Sequence, residues 1–296
     1  VAKRPATTEN AMYESTRNIW GYQVPLDLLS TDTREYLSAL PADRPSVQWI
    51  WREMDRIWDE MLLRPEARHD RRILFEQYYS HPVWTLNGIF TATDPESMAH
   101  RVAIAAYVAT LSPAHVVDYG GGFGSLSRVL ADRLPGSRVE ILEPFASALG
   151  RAAVATYFNI VFSSKFGELC DVMIAQDVLE HVEQPIDLAI KMAQAVKPGG
   201  YLIFANCFWP VIKCHLPTTF YLRHCFPFVM RGLGLEFVGT IDGAAHAQVY
   251  RRQASLDLKA CHVRARSAKV FGPALNFAYG AAGFLRRSLR NGAGNK

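Results

Sequence analysis

Val116-Val-Asp118-Tyr-Gly120-Gly-Gly122-Phe-Gly124-Ser-Leu-Ser127 is the stretch that decides the fold. The apolar run ending at Tyr119 reads as a buried strand, the glycines at 120, 122 and 124 as a tight turn, and Leu126–Leu134 as a helix. Glycine belongs where backbone must turn sharply and approach a ligand with no Cβ in the way. A ligand held by this turn lies against main chain.

Working outward, Val139–Glu143 reads as a second strand and Asp171–Ala175 as another. A helix over Ile186–Val196, a Lys197-Pro-Gly-Gly200 turn and a strand over Tyr201–Ala205 follow. Strands alternating with helices predict an α/β fold with a doubly wound, mostly parallel sheet. Glu143 closes the second strand, where a carboxylate can accept hydrogen bonds from both hydroxyls of a ribose. A dinucleotide turn wants glycine where Ser125 stands, and Asp118 before the turn repels a pyrophosphate but attracts an ammonium. The pattern predicts a nucleoside that carries an amino acid.

Over residues 115–205 the chain resembles the class I S-adenosylmethionine-dependent methyltransferases. The resemblance rests on Asp118-Tyr-Gly-Gly-Gly-Phe-Gly124, Glu143, Gln176-Asp-Val-Leu-Glu-His-Val182 and Lys197-Pro-Gly-Gly200, in that order. It implies a Rossmann-like seven-stranded sheet whose last strands, Leu235–Ile241 and Ala247–Arg251, form an antiparallel hairpin. It also implies S-adenosyl-L-methionine as cofactor and S-adenosyl-L-homocysteine as product. Cofactor contacts then fall to Asp118, Gly120, Gly122, Gly124, Glu143, Gln176, Asp177 and His181. One feature departs from the family: Val161-Phe-Ser-Ser-Lys165 lacks the acid that many members place against adenine.

For the acceptor, Asn206–Gly234 breaks the strand–helix rhythm with three prolines and many aromatics, and is expected as an insertion covering the carboxyl end of the sheet. Methyl transfer to a hydroxyl needs an aligned nucleophile and a group to take its proton, which suits histidine near neutral pH. The candidates are His215 first, His246 second, and Asp177 as a positioning or deprotonating carboxylate. With Tyr78–Phe90, the insertion resembles methyltransferases of bacterial polysaccharide and glycan assembly, which implies a sugar hydroxyl as acceptor, possible in lipid-linked form. The alternative is O- or C-methylation of a small aromatic or secondary metabolite. A non-catalytic Rossmann-like module would be expected to lose the glycines or Glu143, and both are present.

Of 296 residues, 49% are hydrophobic, enough for a full core. Val47–Leu63 carries apolar residues at helical spacing (Trp51, Met54, Ile57 or Trp58, Met61 or Leu62) and predicts a packed helix in an N-terminal helical extension. The expected division is that extension over 1–110, a core over 111–255 with the insertion at 206–234, and a tail over 256–296. The cysteines (Cys170, Cys207, Cys214, Cys225, Cys261) form no close metal-ligand spacing and no H-E-x-x-H is present, so no metal is expected. Nor does a G-x-S-x-G elbow point to hydrolysis.

No apolar run reaches the roughly 20 residues of a spanning helix. The start lacks a secretion-type apolar stretch, which predicts a cytoplasmic protein. From residue 251 on, ten Lys and Arg face Asp257 alone, a charge of +9 that exceeds the whole chain's +4 and leaves residues 1–250 net acidic at −5. A basic tail with Phe271, Phe277, Phe284 and Leu285 suggests contact with the inner face of a membrane, or a helix packed on the core. Nucleic acid ranks third as a partner, since the core is acidic. Oligomeric state is not legible.

Overall fold

The computed structural model describes residues 15–64 and 70–293, with side chains to residue 282. Residues 1–14, on which the leader reading rests, and the side chains of Phe284, Leu285, Arg286, Arg287 and Arg290 lie outside that description.

A hairpin comes first, β1 (Thr16–Ile19) against β2 (Tyr22–Pro25). Both residues of its turn, Trp20 (φ 51°) and Gly21 (φ 91°), take the left-handed conformation that suits a two-residue hairpin. Asn18 Oδ1 accepts the Gly21 N–H at 2.9 Å. Five helices follow: α1 (Thr31–Ser38), α2 (Val47–Leu63), α3 (Arg71–Tyr79), α4 (Pro82–Thr93) and α5 (Pro95–Thr110). Ser46 caps α2 by accepting the Trp49 N–H, and Ile50, Met54, Ile57, Trp58 and Met61 form its buried face. Trp51 is only partly buried and Leu62 is exposed, so the stripe is centred one position away from Trp51.

The sheet proper contains β3 (His115–Tyr119), β4 (Arg138–Leu142), β5 (Ile160–Ser163), β6 (Cys170–Gln176), β7 (Val196–Ala205), β8 (Leu235–Ile241) and β9 (Ala244–Arg252). Helices α6 (Ser125–Arg133), α7 (Ala148–Ala153), α8 (Pro185–Ala195) and α9 (Phe226–Leu233) alternate with the strands, and α10 (Leu258–Ala293) ends the described chain. Strand order is β5-β4-β3-β6-β7-β9-β8, parallel except for β9, which runs antiparallel to both neighbours. One face buries Val116, Ile141, Ile174 and Ile203 under α5 and α6. The other buries Met173, Leu202, Phe204 and Tyr250 under α8, α9 and α10. Helices cover both faces, which makes the sheet doubly wound and Rossmann-like.

Lys197–Gly200 differs from its expected turn, because β7 already begins at Val196. Gly199 (φ 81°) and a register shift against Cys170 and Val172 absorb the kink within a continuous strand. Lys197 Nζ reaches Asp171 Oδ1 at 2.6 Å and ties the irregular start to β6.

The N-terminal unit has its own core, which also takes in Leu149 from α7 and Cys214 and Leu216 from the insertion. Lys213 reinforces the join: its N–H donates to Asp55 Oδ1 at 2.6 Å and its ammonium pairs with Asp59. No described helix is long and apolar enough to cross a membrane.

Candidate active site

In an open α/β sheet the ligand crevice lies at the carboxyl ends of the strands where the winding reverses, here between β3 and β6. The glycine turn leaves β3 at that point, with Gly120, Gly122 and Gly124 all at positive φ (73°, 52° and 69°). A Cβ on Gly124 would stand 2.6 Å from Val154 Cγ1, whereas one on Gly122 would meet nothing within 4 Å. Packing therefore explains Gly124, and open space for a ligand explains Gly122.

Glu143 follows β4 directly. Its Oε2 accepts the Gly122 N–H at 3.1 Å and its Oε1 the Phe145 N–H at 3.0 Å, so the carboxylate is fixed at the rim of the turn. Asp118 sits beneath it, 2% exposed, accepting the Ser127 hydroxyl at 2.6 Å. Burial raises its pKa to about 6, against the Ser127 bond and the Arg101 charge. With almost no exposed surface, the side chain braces the start of α6 through Ser127.

Across the crevice, Gln176 ends β6 and its amide approaches Asp177 Oδ2 at 3.4 Å. Asp177 is exposed and takes φ 53°, a strained conformation for a residue with a side chain, while its N–H donates to Ala205 O at 2.8 Å. Arg101, on α5, lies in the field of both Asp118 and Asp177. Burial lowers its pKa, and those carboxylates with Asp94 oppose the shift. It had no motif to announce it: a lone arginine inside an amphipathic helix reads as a surface residue.

His246 enters from β9, whose reversal brings its first residues to the carboxyl end of the sheet. Its ring is 4.7 Å from that of His100. Burial lowers its pKa, the Asp177 carboxylate opposes that, and His100 adds to it. His246 lines a depression with Asn206, Phe208, Trp209, Arg223, Phe226 and Gln248, of about 250 Å³ including its open mouth. Asn206 Oδ1 is buried there without a hydrogen-bond partner, and the Arg223 guanidinium lies 5.0 Å from the Trp209 ring centre.

His181 and His215 are placed elsewhere, in an aromatic nest. The His181 ring stands 4.8 Å from that of His215 and near Tyr79 and Trp84, and its Nδ1 donates to Cys214 O at 3.2 Å. Burial and the His215 charge drive its pKa down to about 3. The 3-10 turn Leu179–His181 directs the His181 ring against Tyr79 and Trp84 of the N-terminal unit. His215 is 6% exposed, with Nδ1 3.0 Å from Trp209 O. Beside it is Glu180, wholly buried, which accepts the Cys207 N–H at 2.7 Å; burial first and Asp177 second raise its pKa to about 8. Distance along the chain concealed this Glu180–Cys207–His215 grouping, although the aromatic setting of His215 marked the segment.

Known proteins add the following. Among solved structures, the mitomycin 7-O-methyltransferase MmcR is 21% identical over 67% of this chain and 60% of its own, with a TM-score of 0.44. An O-methyltransferase family protein from Burkholderia thailandensis is 15% identical over 81% and 80%, with a TM-score of 0.47. CalS10, an amino pentose methyltransferase from Micromonospora echinaspora, is 22% identical over 36% and 51%, with a TM-score of 0.31. None of these likenesses says which acceptor this chain uses. No curated protein matches it. A family model described as a methyltransferase domain matches residues 90–211, from the end of α4 through the glycine turn, Glu143 and Asp177 into the insertion.

Proposed function

We propose that the chain is an S-adenosylmethionine-dependent O-methyltransferase acting on a hydroxyl of a small polar molecule, with a sugar as the first class of acceptor. The observation that carries this reading is that His246, in the field of the Asp177 carboxylate, lines a depression at the same end of the sheet as the glycine turn. When bound, the cofactor supplies an electrophilic methyl group on a sulfonium. Gly122 leaves room for it, Glu143 can accept from its ribose hydroxyls, and Arg101 can pair with its carboxylate.

On the acceptor side, the depression sets polar groups, Asn206, Arg223 and Gln248, beside the aromatic Trp209 and Phe226. The unpartnered Asn206 Oδ1 asks for a donor such as a hydroxyl, and Trp209 offers a flat face. His246 would take the proton of the attacking hydroxyl, and Asp177 would stabilise the imidazolium that forms. A second reading, an aromatic or other secondary-metabolite hydroxyl, draws support from Phe208, Trp209 and Phe226 in the same lining.

Calorimetry with S-adenosylmethionine, S-adenosylhomocysteine and NAD tests the cofactor; binding of NAD, or of none of them, sinks the proposal. An acceptor screen of free and glycan-terminal sugars against phenols then separates the two readings. His246→Ala is expected to keep cofactor affinity and lose ~10²-fold or more in turnover, the usual worth of a positioned base. In the unaltered enzyme, the acid limb of kcat/KM should fall below the ordinary imidazole value of ~6.5, since the His246 pKa is lowered.

A further inference from the structure

Glu180 comes from the 3-10 turn after β6, and Cys207 and His215 from two points of the insertion, the first just past β7. One carboxylate oxygen, the Cys207 Sγ and one imidazole nitrogen all lie within 4.8 Å of one another. Glu180 is 0% exposed and uses only one oxygen, since Oε2 has no hydrogen-bond partner. Folding around such an orphaned acceptor is costly unless something occupies it.

The hydrogen bond of His215 leaves one ring nitrogen free for a ligand's role. The Trp209 carbonyl can only accept, so Nδ1 carries the proton and donates at 3.0 Å, leaving the Nε2 lone pair free. A backbone carbonyl holding one ring nitrogen while the other binds is the usual support for a metal-ligating histidine.

We propose that Glu180, Cys207 and His215 bind a divalent transition-metal ion of the zinc class. On binding, the Cys207 thiol and, where it is protonated, the Glu180 carboxyl release their protons to solvent. One thiolate and one carboxylate then cancel the 2+ charge, and the neutral imidazole completes a three-ligand set. Mixed sulfur, nitrogen and oxygen donors select zinc-like ions over magnesium or calcium. The partly buried Cys207 gives the cluster its open side. The ion would pin the insertion to the turn after β6 and the end of β7. This inference does not depend on the acceptor or on the role of His246.

The test uses the full chain stripped by chelator and titrated with Co²⁺. Wild type is expected to develop a thiolate-to-cobalt charge-transfer band, abolished by one equivalent of Zn²⁺. Cys207→Ser should lose the band, and Glu180→Gln and His215→Ala should weaken Zn²⁺ binding by more than about 100-fold, the most that outer-sphere partners alone usually cause. Absence of the band in wild type overturns the proposal without recourse to any variant. So does a band that persists in Cys207→Ser. Zn²⁺ should also raise the wild-type melting temperature in a concentration-dependent way and leave that of Cys207→Ser unchanged, a comparison that holds if the metal-free variant melts cooperatively.

Discussion

A methyl group added to the glycine turn should have different consequences at its two ends. Gly124→Ala combines a left-handed backbone with a 2.6 Å approach to Val154, and is expected to cost about 2–4 kcal/mol of stability in urea unfolding. Gly122→Ala meets open space, so its cost should be near the ~1–2 kcal/mol of the backbone alone, with the main loss in cofactor affinity measured by calorimetry. Asp118 offers a pH test. Its pKa of about 6 lies above the ~3.9 of an unfolded aspartate, so the folded state holds the extra proton and gains stability below pH ~4. That contribution should disappear as pH rises through about 6, by up to ~3 kcal/mol, and Asp118→Asn should flatten the slope in unfolding curves recorded from pH 4 to 7. The glycines and Glu143 were legible because a ligand-binding turn constrains local sequence. Arg101 was not, because its partners Asp118 and Asp177 lie on other elements. The same limit hides the burial of His215: sequence shows its aromatic company but not the packing around its ring.

Among the elements, β3, β4, β6 and α2 were readable to within a residue or so, since each buries a face whose period is written in its apolar residues. The β1–β2 hairpin was not, because Trp20-Gly21 replaces the usual Asn-Gly signal and the two strands are only four residues each. Lys197–Gly200 misled for the opposite reason: proline and glycines normally break a strand, but Asp171 and the register shift hold this one together. Helix α2 gives the measurable case. Trp58 is 6% exposed with its ring edge-on to Tyr78 at 4.9 Å, so Trp58→Ala should cost ~3–5 kcal/mol. The partly buried Trp51→Ala should cost clearly less, and urea titration of both reads which face of the helix is inside.

For the molecule as a whole, the N-terminal unit is fastened to the crevice it adjoins. The Phe123 ring, from the glycine turn, fills the space beside Gly88 of α4, where a Cβ would come within 2.8 Å of it. The insertion is fastened to the same unit through Cys214, Leu216 and Lys213. These long-range joins leave no local pattern in the sequence. The position of β9 has a further consequence, for the order in which a growing chain can assemble. Strands β3 to β7 can pair as soon as they emerge, with the glycine turn, Glu143 and Asp177 already in place. Strand β8 is made next, yet it is an edge strand whose sheet partner is β9, so it must wait for residues 244–252 to slip in against β7. His246 rides on that last strand. During synthesis, a compact half with its glycine turn formed therefore precedes the arrival of His246, the base we propose, which is in place only when the final strand closes the sheet.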